Sequence, residues 1–222
     1  MLQSSTLKFL KDLKKNNNKP WFDANRKRYE DAKSDFTDFI QQVIDLFGKK
    51  DKTIAGLRAK DCLFRINRDI RFSKDKSPYK TNFGASINRG GKKSMLAGYY
   101  FHCEPGGAFT GGGIWQPMPP ELKNIRQEVD YNFKEFKKII ASRKFKSVYG
   151  ELYMEPDVCL TRLPKGYKKN NPAAEYLKLK SYLAMTRLSE KDLISRGLLK
   201  KTLAAFDALQ PFIGFINKAF SD

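Results

Sequence analysis

The residues with the clearest capacity for chemistry lie in two polar blocks, FRINRDIRFSKDKSPYK at 64–80 and GYYFHCEPGG at 98–107. In the first block, three arginines precede lysines and a tyrosine around a Ser-Pro turn. A guanidinium group presents a planar fork of N–H donors that suits phosphate or carboxylate, so this block predicts one wall of an anion site. The candidate ligands are Arg65, Arg68, Asp69, Arg71, Lys76 and Lys80. In the alternative interpretation, Asp69 and Asp75 pair with these arginines inside a salt-bridged scaffold.

The second block contains the only histidine of the sequence. In an extended strand, successive side chains alternate between faces, which puts Tyr100, His102 and Glu104 on one face and Cys103 on the other. A histidine next to a carboxylate is the usual general acid or base near neutral pH. His102 and Glu104 are therefore predicted catalytic residues, and a structural role for His102 is the alternative.

Aromatic side chains in and near both blocks could position a ligand. Pro78 fixes the backbone before Tyr79, so Tyr79 is predicted to project from a rigid turn as a third catalytic candidate. Tyr100 and Trp115 are candidates for positioning or stacking on a flat ligand. For Tyr79 and Trp115 the alternative is packing in the core.

A third basic segment, TRLPKGYKKNNPAAEYLKLKSY at 161–182, has Arg162 and Lys165 at a Pro-Gly turn. A helix is predicted to begin near Pro172, directly after this turn. Cations beside a helix N-terminus favour an anion, so both residues are candidate ligands. The alternative is an ordinary basic turn on the surface.

No metal site and no resident cofactor are predicted. One histidine and three dispersed cysteines without a C-x-x-C pair do not supply a zinc site. The glycines between 106 and 113 match neither a phosphate-binding loop nor a dinucleotide fingerprint. They indicate a bulge, or the close approach of another backbone or of a ligand.

The charge balance favours anionic partners. The sequence has 43 Lys and Arg against 24 Asp and Glu, a formal net charge of +19, which attracts polyanions such as nucleic acid. The lysines are scattered, so a solvated surface is the alternative. No window approaches the roughly 20 apolar residues of a membrane span, and no secretory core is visible. A cytoplasmic protein with no membrane partner is expected.

Periodicity predicts the elements that must position these residues. Apolar residues at three- and four-residue steps predict a long helix over 20–47, closed by Gly48. Pro119 is predicted to begin another helix, and Ser189 with Asp192 forms a capping box for a C-terminal helical region that Gly197 and Pro211 divide. Strands are predicted near 61–66, 82–88, 95–103, 108–114, 157–162 and 182–187.

The expected class is α+β, because long amphipathic helices flank a central run of alternating strands. We expect one domain over residues 1–222, with a largely antiparallel or mixed sheet, a long N-terminal helix and a helical C-terminus. The chain is predicted to be helical over 1–50, sheet-rich over 61–117, and mixed and then helical over 119–222.

Four blocks together resemble a known family, the bacterial and fungal domain of unknown function 2461. They are FLKDLKKNNNKPWFDANRKRYE near the N-terminus, FRINRDIRFSKDKSPYKTNFGASI at 64–87, GYYFHCEPGGAFTGGGIWQP at 98–117 and RLPKGYKKNNPAAEYLKLKSY at 162–182. The blocks occur in the expected order and span nearly the whole chain. The resemblance implies no particular activity, substrate or cofactor.

Three functions remain open at this point. The favoured expectation is a pocket of Arg, Lys, His and Glu side chains for an anionic, phosphate-bearing ligand. Such a protein would be either a binder or an enzyme acting at a phosphoryl or acyl centre. The alternatives are a nucleic-acid-binding module that uses its basic surface, and a structural or partner-binding protein without catalysis.

Overall fold

The computed structural model describes residues 1–220 and confirms the α+β class, with a four-stranded antiparallel sheet. The strands are β1 (Phe83–Ile87), β2 (Gly98–Cys103), β3 (Phe109–Ile114) and β4 (Tyr182–Arg187), hydrogen-bonded in the order β1-β2-β3-β4. Each strand therefore pairs with its neighbours in sequence. The first helices are α1 (Ser4–Lys15), α2 (Lys19–Ala24), α3 (Arg26–Phe47) and α4 (Ala59–Cys62). The later helices are α5 (Pro119–Tyr131), α6 (Phe133–Ile140), α7 (Arg143–Tyr149), α8 (Ala174–Leu177), α9 (Glu190–Leu193) and α10 (Leu198–Lys218).

The chain groups into two compact units. The first unit comprises residues 1–93, 100–110 and 187–204. The second comprises residues 94–99 and 111–186, and continues from 205 to the end of the described chain. Within residues 1–220, none of the helices combines the length and hydrophobicity that a bilayer crossing requires.

The core of the first unit forms where α3 packs on one face of β1 and β2. The apolar stripe of α3 brings Phe36 to 5.4 Å from Phe83 and Phe39 to 5.0 Å from Phe101, measured between ring centroids. All four rings are buried. Because strand residues alternate, burying Phe101 turns the side chains on either side of it, at 100 and 102, to the opposite face of β2.

The second unit has its own aromatic core around α10. Tyr99 stacks on Phe206 with centroids 4.6 Å apart, and Phe136 lies 5.4 Å from Phe215. These residues are fully buried. The packing explains why α10 continues through Pro211, where a division was predicted. Proline removes one helical hydrogen bond, but the buried aromatic face on both sides of it holds the helix together.

The predicted elements near the first polar block need two corrections. The helix predicted over 20–47 is two helices, because the chain breaks at Asn25. The strand predicted near 61–66 is wrong: α4 continues to Cys62, and Leu63 then makes only an isolated bridge to Ala85. The backbone N–H of Arg68 donates to Pro78 O at 2.9 Å, but proline has no N–H to return that bond. A continuous ladder therefore does not form.

The strand predicted at 182–187 is confirmed as β4. By contrast, the strand predicted near 157–162 is wrong, since that region contributes only an isolated bridge between Cys159 and Leu179. Residues 156–157, just before the bridge, form a turn instead of extended backbone.

The capping box predicted at the start of α9 is confirmed. The Asp192 N–H donates to Ser189 Oγ at 3.1 Å, and the Ser189 N–H donates to the Asp192 carboxylate at 2.8 Å. Ser189→Ala is expected to lower the free energy of unfolding by about 1 kcal/mol, because one helix N–H loses its acceptor. Urea denaturation would measure the change. Ser147→Ala, at an exposed position late in α7, serves as the control, and an equal loss in both variants would contradict the capping role.

Candidate functional site

Strand β2 brings three of the predicted polar residues together in the first unit. Tyr100, His102 and Glu104 follow at two-residue spacing, as alternation predicts, while Phe101 and Cys103 between them are fully buried. Tyr100 Oη lies 3.2 Å from His102 Nδ1, and His102 Nε2 lies 3.3 Å from Glu104 Oε2. The three side chains are thus in direct contact.

A fourth residue, Thr81, completes this group. Its hydroxyl donates to Glu104 Oε1 at 3.0 Å, so the carboxylate is held from both sides. We call Thr81, Tyr100, His102 and Glu104 the His102 network. The His102 and Glu104 side chains are 14% and 26% exposed, so the network is largely shielded from water yet open at its edge.

Two neighbours fix the rings of the network. Phe109 on β3 stacks on His102 with centroids 4.7 Å apart and an interplanar angle of 15°. On β1, Gly84 makes room for Tyr100, since a Cβ added there would lie 2.5 Å from Tyr100 Oη. Glycine at position 84 therefore leaves the space that the tyrosine hydroxyl occupies where it meets His102.

The surroundings set the protonation of the network. Burial lowers the pKa of His102 below its ordinary value of 6.5, and this effect exceeds the opposing hydrogen bond and charge of Glu104. Burial, followed by the Glu104 charge, raises the pKa of Tyr100 to about 12. At neutral pH the imidazole is thus neutral and the phenol protonated. Because a carboxylate only accepts, His102 carries its proton on Nε2 and accepts the Tyr100 hydroxyl at Nδ1.

Two of the predicted arginines pair with aspartates of their own loop. Arg71 donates twice to Asp69, from Nε at 2.9 Å and Nη2 at 2.6 Å, and remains 75% exposed. Arg68 forms an ion pair with Asp75. Lys76 donates to a backbone carbonyl, Ile70 O, at 3.0 Å. These contacts agree with the scaffold interpretation for this part of the block.

Arg65 and Lys80 differ from those arginines. Among residues 1–220, neither has a carboxylate partner within ion-pair distance. Lys80 Nζ lies 5.5 Å above the Phe64 ring, and Phe64 lies 6.4 Å from the Tyr100 ring. Burial lowers the pKa of Lys80, and the nearby Arg65 charge lowers it further. The charges of Arg65 and Lys80 therefore repel each other, and Lys80 lies over a ring that contacts Tyr100 of the His102 network.

Tyr79 lies in the core, apart from the His102 network. Its ring is buried and stacks on Phe22 with centroids 3.9 Å apart. The Asn17 side chain holds its backbone, accepting from the Tyr79 N–H at 3.0 Å and donating to the Tyr79 carbonyl at 2.8 Å. The Pro78 turn thus presents this ring to the core, as the alternative interpretation anticipated.

The remaining candidates belong to the second unit. Trp115 follows β3 and is 56% exposed. Arg162 and Lys165 are exposed on the turn before Gly166, and neither forms an ion pair with any residue that the structure describes. The structure does not join these three residues to one another by a hydrogen bond or ring contact within the described chain.

The first unit also contains a cleft that is separate from the candidate site. A cleft of about 290 Å³ between α1 and α3 is lined by Ser5, Lys8, Asp12, Arg28, Asp31 and Ala32, which are all outside the His102 network.

Burial raises the pKa of Cys103 to about 12, which makes this thiol unreactive near neutral pH. Over residues 1–220, no three His, Cys, Asp or Glu side chains lie together as a metal site would need.

Sequence reasoning missed Thr81, Phe64, Phe109 and Gly84. Phe64 and Phe109 are ordinary apolar residues, and nothing in their spacing marks them as neighbours of a histidine. Gly84 and Thr81 lie in the segment TNFGASI, where a glycine inside a predicted strand indicates the close approach of another group. That signal could have identified Gly84, but not its partner.

The fold and this group define a class: an α+β protein with an antiparallel four-stranded sheet that carries a half-buried, hydrogen-bonded Tyr-His-Glu chain. The chain belongs to the family described as conserved hypothetical protein (DUF2461), whose model matches residues 5–215. This membership agrees with the resemblance of the four sequence blocks. No curated protein and no solved structure matches the chain.

Proposed function

We propose that the first unit binds a small phosphate-bearing anion at Arg65 and Lys80, beside the His102 network. The observation that carries this proposal is a pair of mutually repelling cations, neither of which lies within ion-pair distance of a described carboxylate; the Arg65 charge acts on Asp69 only from further away. Elsewhere in the same block, Arg68 and Arg71 have such partners. A bound anion would neutralise the repulsion between Arg65 and Lys80 and accept hydrogen bonds from both.

The position of Lys80 connects the cations to the network. Lys80 precedes Thr81, whose hydroxyl donates to Glu104, and the Lys80 ammonium lies over the ring that contacts Tyr100. An anion held by Lys80 would thus lie next to the Phe64 ring, which contacts Tyr100 of the network. Partial burial of Lys80 also strengthens its attraction for an anion, because charges interact more strongly away from bulk water. We assign this function to the cytoplasm, since the three cysteines are free thiols.

A thermal-shift titration tests the proposal. Inorganic phosphate, pyrophosphate and glycerol phosphate would be added at constant ionic strength. At a concentration of 100 times Kd, a ligand specific for the native state should raise Tm by about 5 °C or more. The double variant Arg65→Gln/Lys80→Gln should show no shift, because both anion donors are removed.

A matched control separates this site from general charge effects. Arg143→Gln/Lys134→Gln removes the same charge from exposed positions and should retain the full shift. If none of the three anions raises Tm, or if the control loses the shift as well, the proposed site is wrong. A structural role for the polar block would then be the better interpretation.

A second candidate function is proton transfer at the bound anion, with a phosphoryl or acyl centre as the reacting group. The specific observation that favours it is the hydrogen-bonded order Tyr100, His102, Glu104, in which a neutral imidazole is oriented by a carboxylate. Because both imidazole nitrogens are engaged, the proton would reach His102 through Tyr100: the Tyr100 oxygen would take the substrate proton as its own proton passes to His102 Nδ1, and Glu104 would stabilise the imidazolium through Nε2.

A further inference from the structure

Phe72 is the most exposed large apolar side chain that the structure describes in the first unit. The ring is 95% exposed at the tip of a loop over residues 69–77, which we call the Phe72 loop. At the base of this loop, the Arg68 N–H donates to Pro78 O at 2.9 Å and the Lys80 N–H donates to Ile66 O at 2.8 Å. The loop is therefore closed at its base while its apolar tip faces water.

Side-chain contacts brace the Phe72 loop. Asp75 accepts from the Ser77 N–H at 2.9 Å and pairs with Arg68, and Lys76 donates to Ile70 O at 3.0 Å. The Arg71 guanidinium, which is paired with Asp69, lies 5.7 Å from the centre of the Phe72 ring. These contacts hold the turn without covering the ring, so its exposure is a property of a braced loop.

The charge around the ring favours an anionic partner. Within the Phe72 loop, Arg71, Lys74 and Lys76 outnumber Asp69 and Asp75, which leaves a formal charge of +1. Lys74 and Lys76 are exposed on this loop, and neither forms an ion pair with a described residue. An exposed aromatic ring on a loop with exposed lysines suits stacking on an unpaired base while the lysines contact its phosphates.

We propose that the Phe72 loop binds single-stranded nucleic acid, with Phe72 stacking on a base and Lys74 and Lys76 contacting phosphates. A duplex fits less well, because its bases are already stacked and present no free face to the ring. A membrane surface also fits less well, since one aromatic ring without an apolar helix face provides little area for insertion. The surface uses different residues from the Arg65–Lys80 site, so each proposal can fail alone.

Fluorescence anisotropy with labelled 20-nucleotide dT and rU strands tests this surface. Phe72→Ala should weaken binding by about tenfold, which is the scale of one lost stacking contact. Lys74→Gln/Lys76→Gln should reduce the slope of log K against log salt by about 1.4, because two phosphate contacts are removed. Phe72 is almost fully exposed, so its replacement should leave Tm unchanged.

Controls use matched residues far along the chain. Tyr131→Ala removes another exposed ring, and Lys134→Gln/Lys138→Gln removes two exposed lysines of α6. Both controls should bind the strands as the unmodified protein does. The proposal is overturned by no binding at low salt, by equal effects of Phe72→Ala and Tyr131→Ala, by equal affinity for a duplex, or by Phe72-dependent binding to phosphatidylserine vesicles alone.

Discussion

Gly113→Ala is expected to lower the free energy of unfolding by about 3–5 kcal/mol, because it combines a collision with a strained backbone. A Cβ at position 113 would overlap the Tyr182 carbonyl oxygen of β4 far inside the 3.0 Å that real Cβ atoms essentially never cross. The φ angle of Gly113 is +124°, which L-residues rarely adopt. A side chain that moves cannot relieve the collision, since the carbonyl oxygen belongs to the backbone, and it cannot relieve the strained φ angle either.

Two other glycines of the second unit distinguish the free-energy cost of the collision from that of the strained backbone. At Gly111, an added Cβ would collide with the backbone of Ala184, but its φ angle is not positive. At Gly166, φ is +94° and nothing lies within 4 Å of the added Cβ. Urea denaturation should therefore rank the alanine variants Gly113 first, Gly111 second and Gly166 last, with about 1–2 kcal/mol lost at Gly166. A loss at Gly166 equal to that at Gly113 would contradict the collision.

The glycine run shows how far a sequence pattern can predict structure. The run predicted the close approach of another backbone or of a ligand, and at Gly111, Gly112 and Gly113 the neighbouring groups are strand backbones. The glycines alone could not decide between a backbone and a ligand, because close approach of either one needs a position without a Cβ. The choice depends on which strand pairs with β3, and β4 is about 70 residues further along the chain.

Alternation predicted the polar face of β2 well and the polar block at 64–80 poorly. Along β2 it grouped Tyr100, His102 and Glu104, because a paired strand keeps a strict period of two. A strand was also predicted near 61–66, but that segment makes only an isolated bridge, and Phe72 further along is 95% exposed. In that segment, Pro78 interrupts the pairing and the ion pairs of Asp69 and Asp75 shape a loop. Local hydrogen bonds there determine the conformation more than the two-residue alternation of the sequence does.

A direct titration of His102 should show a pKa below 6.5, since burial disfavours the imidazolium. NMR of the ring nitrogens measures this in a protein without a histidine tag, where His102 gives the only histidine signals. Because the pKa is lower in the folded state than in the unfolded chain, His102 contributes stability above pH 6.5. This contribution is lost as the pH falls through the folded-state pKa. A pKa at or above 6.5 would contradict the assigned neutral form.

Glu104→Gln should lower the pKa of His102 further, because the carboxylate is the group that raises it. If the protein catalyses hydrolysis of a phosphate or acyl ester, His102→Asn should reduce kcat/KM by about 100- to 10,000-fold. In Glu104→Gln, the acid limb of the pH–rate profile should then move to lower pH together with the NMR titration. Tyr100→Phe removes the hydroxyl on His102 Nδ1 without removing a charge, so it should lower the rate as His102→Asn does while the effect of Glu104 on the His102 pKa persists. A merely structural histidine would show the titration shift without any change in rate, so the two measurements distinguish a catalytic His102 from a buried one.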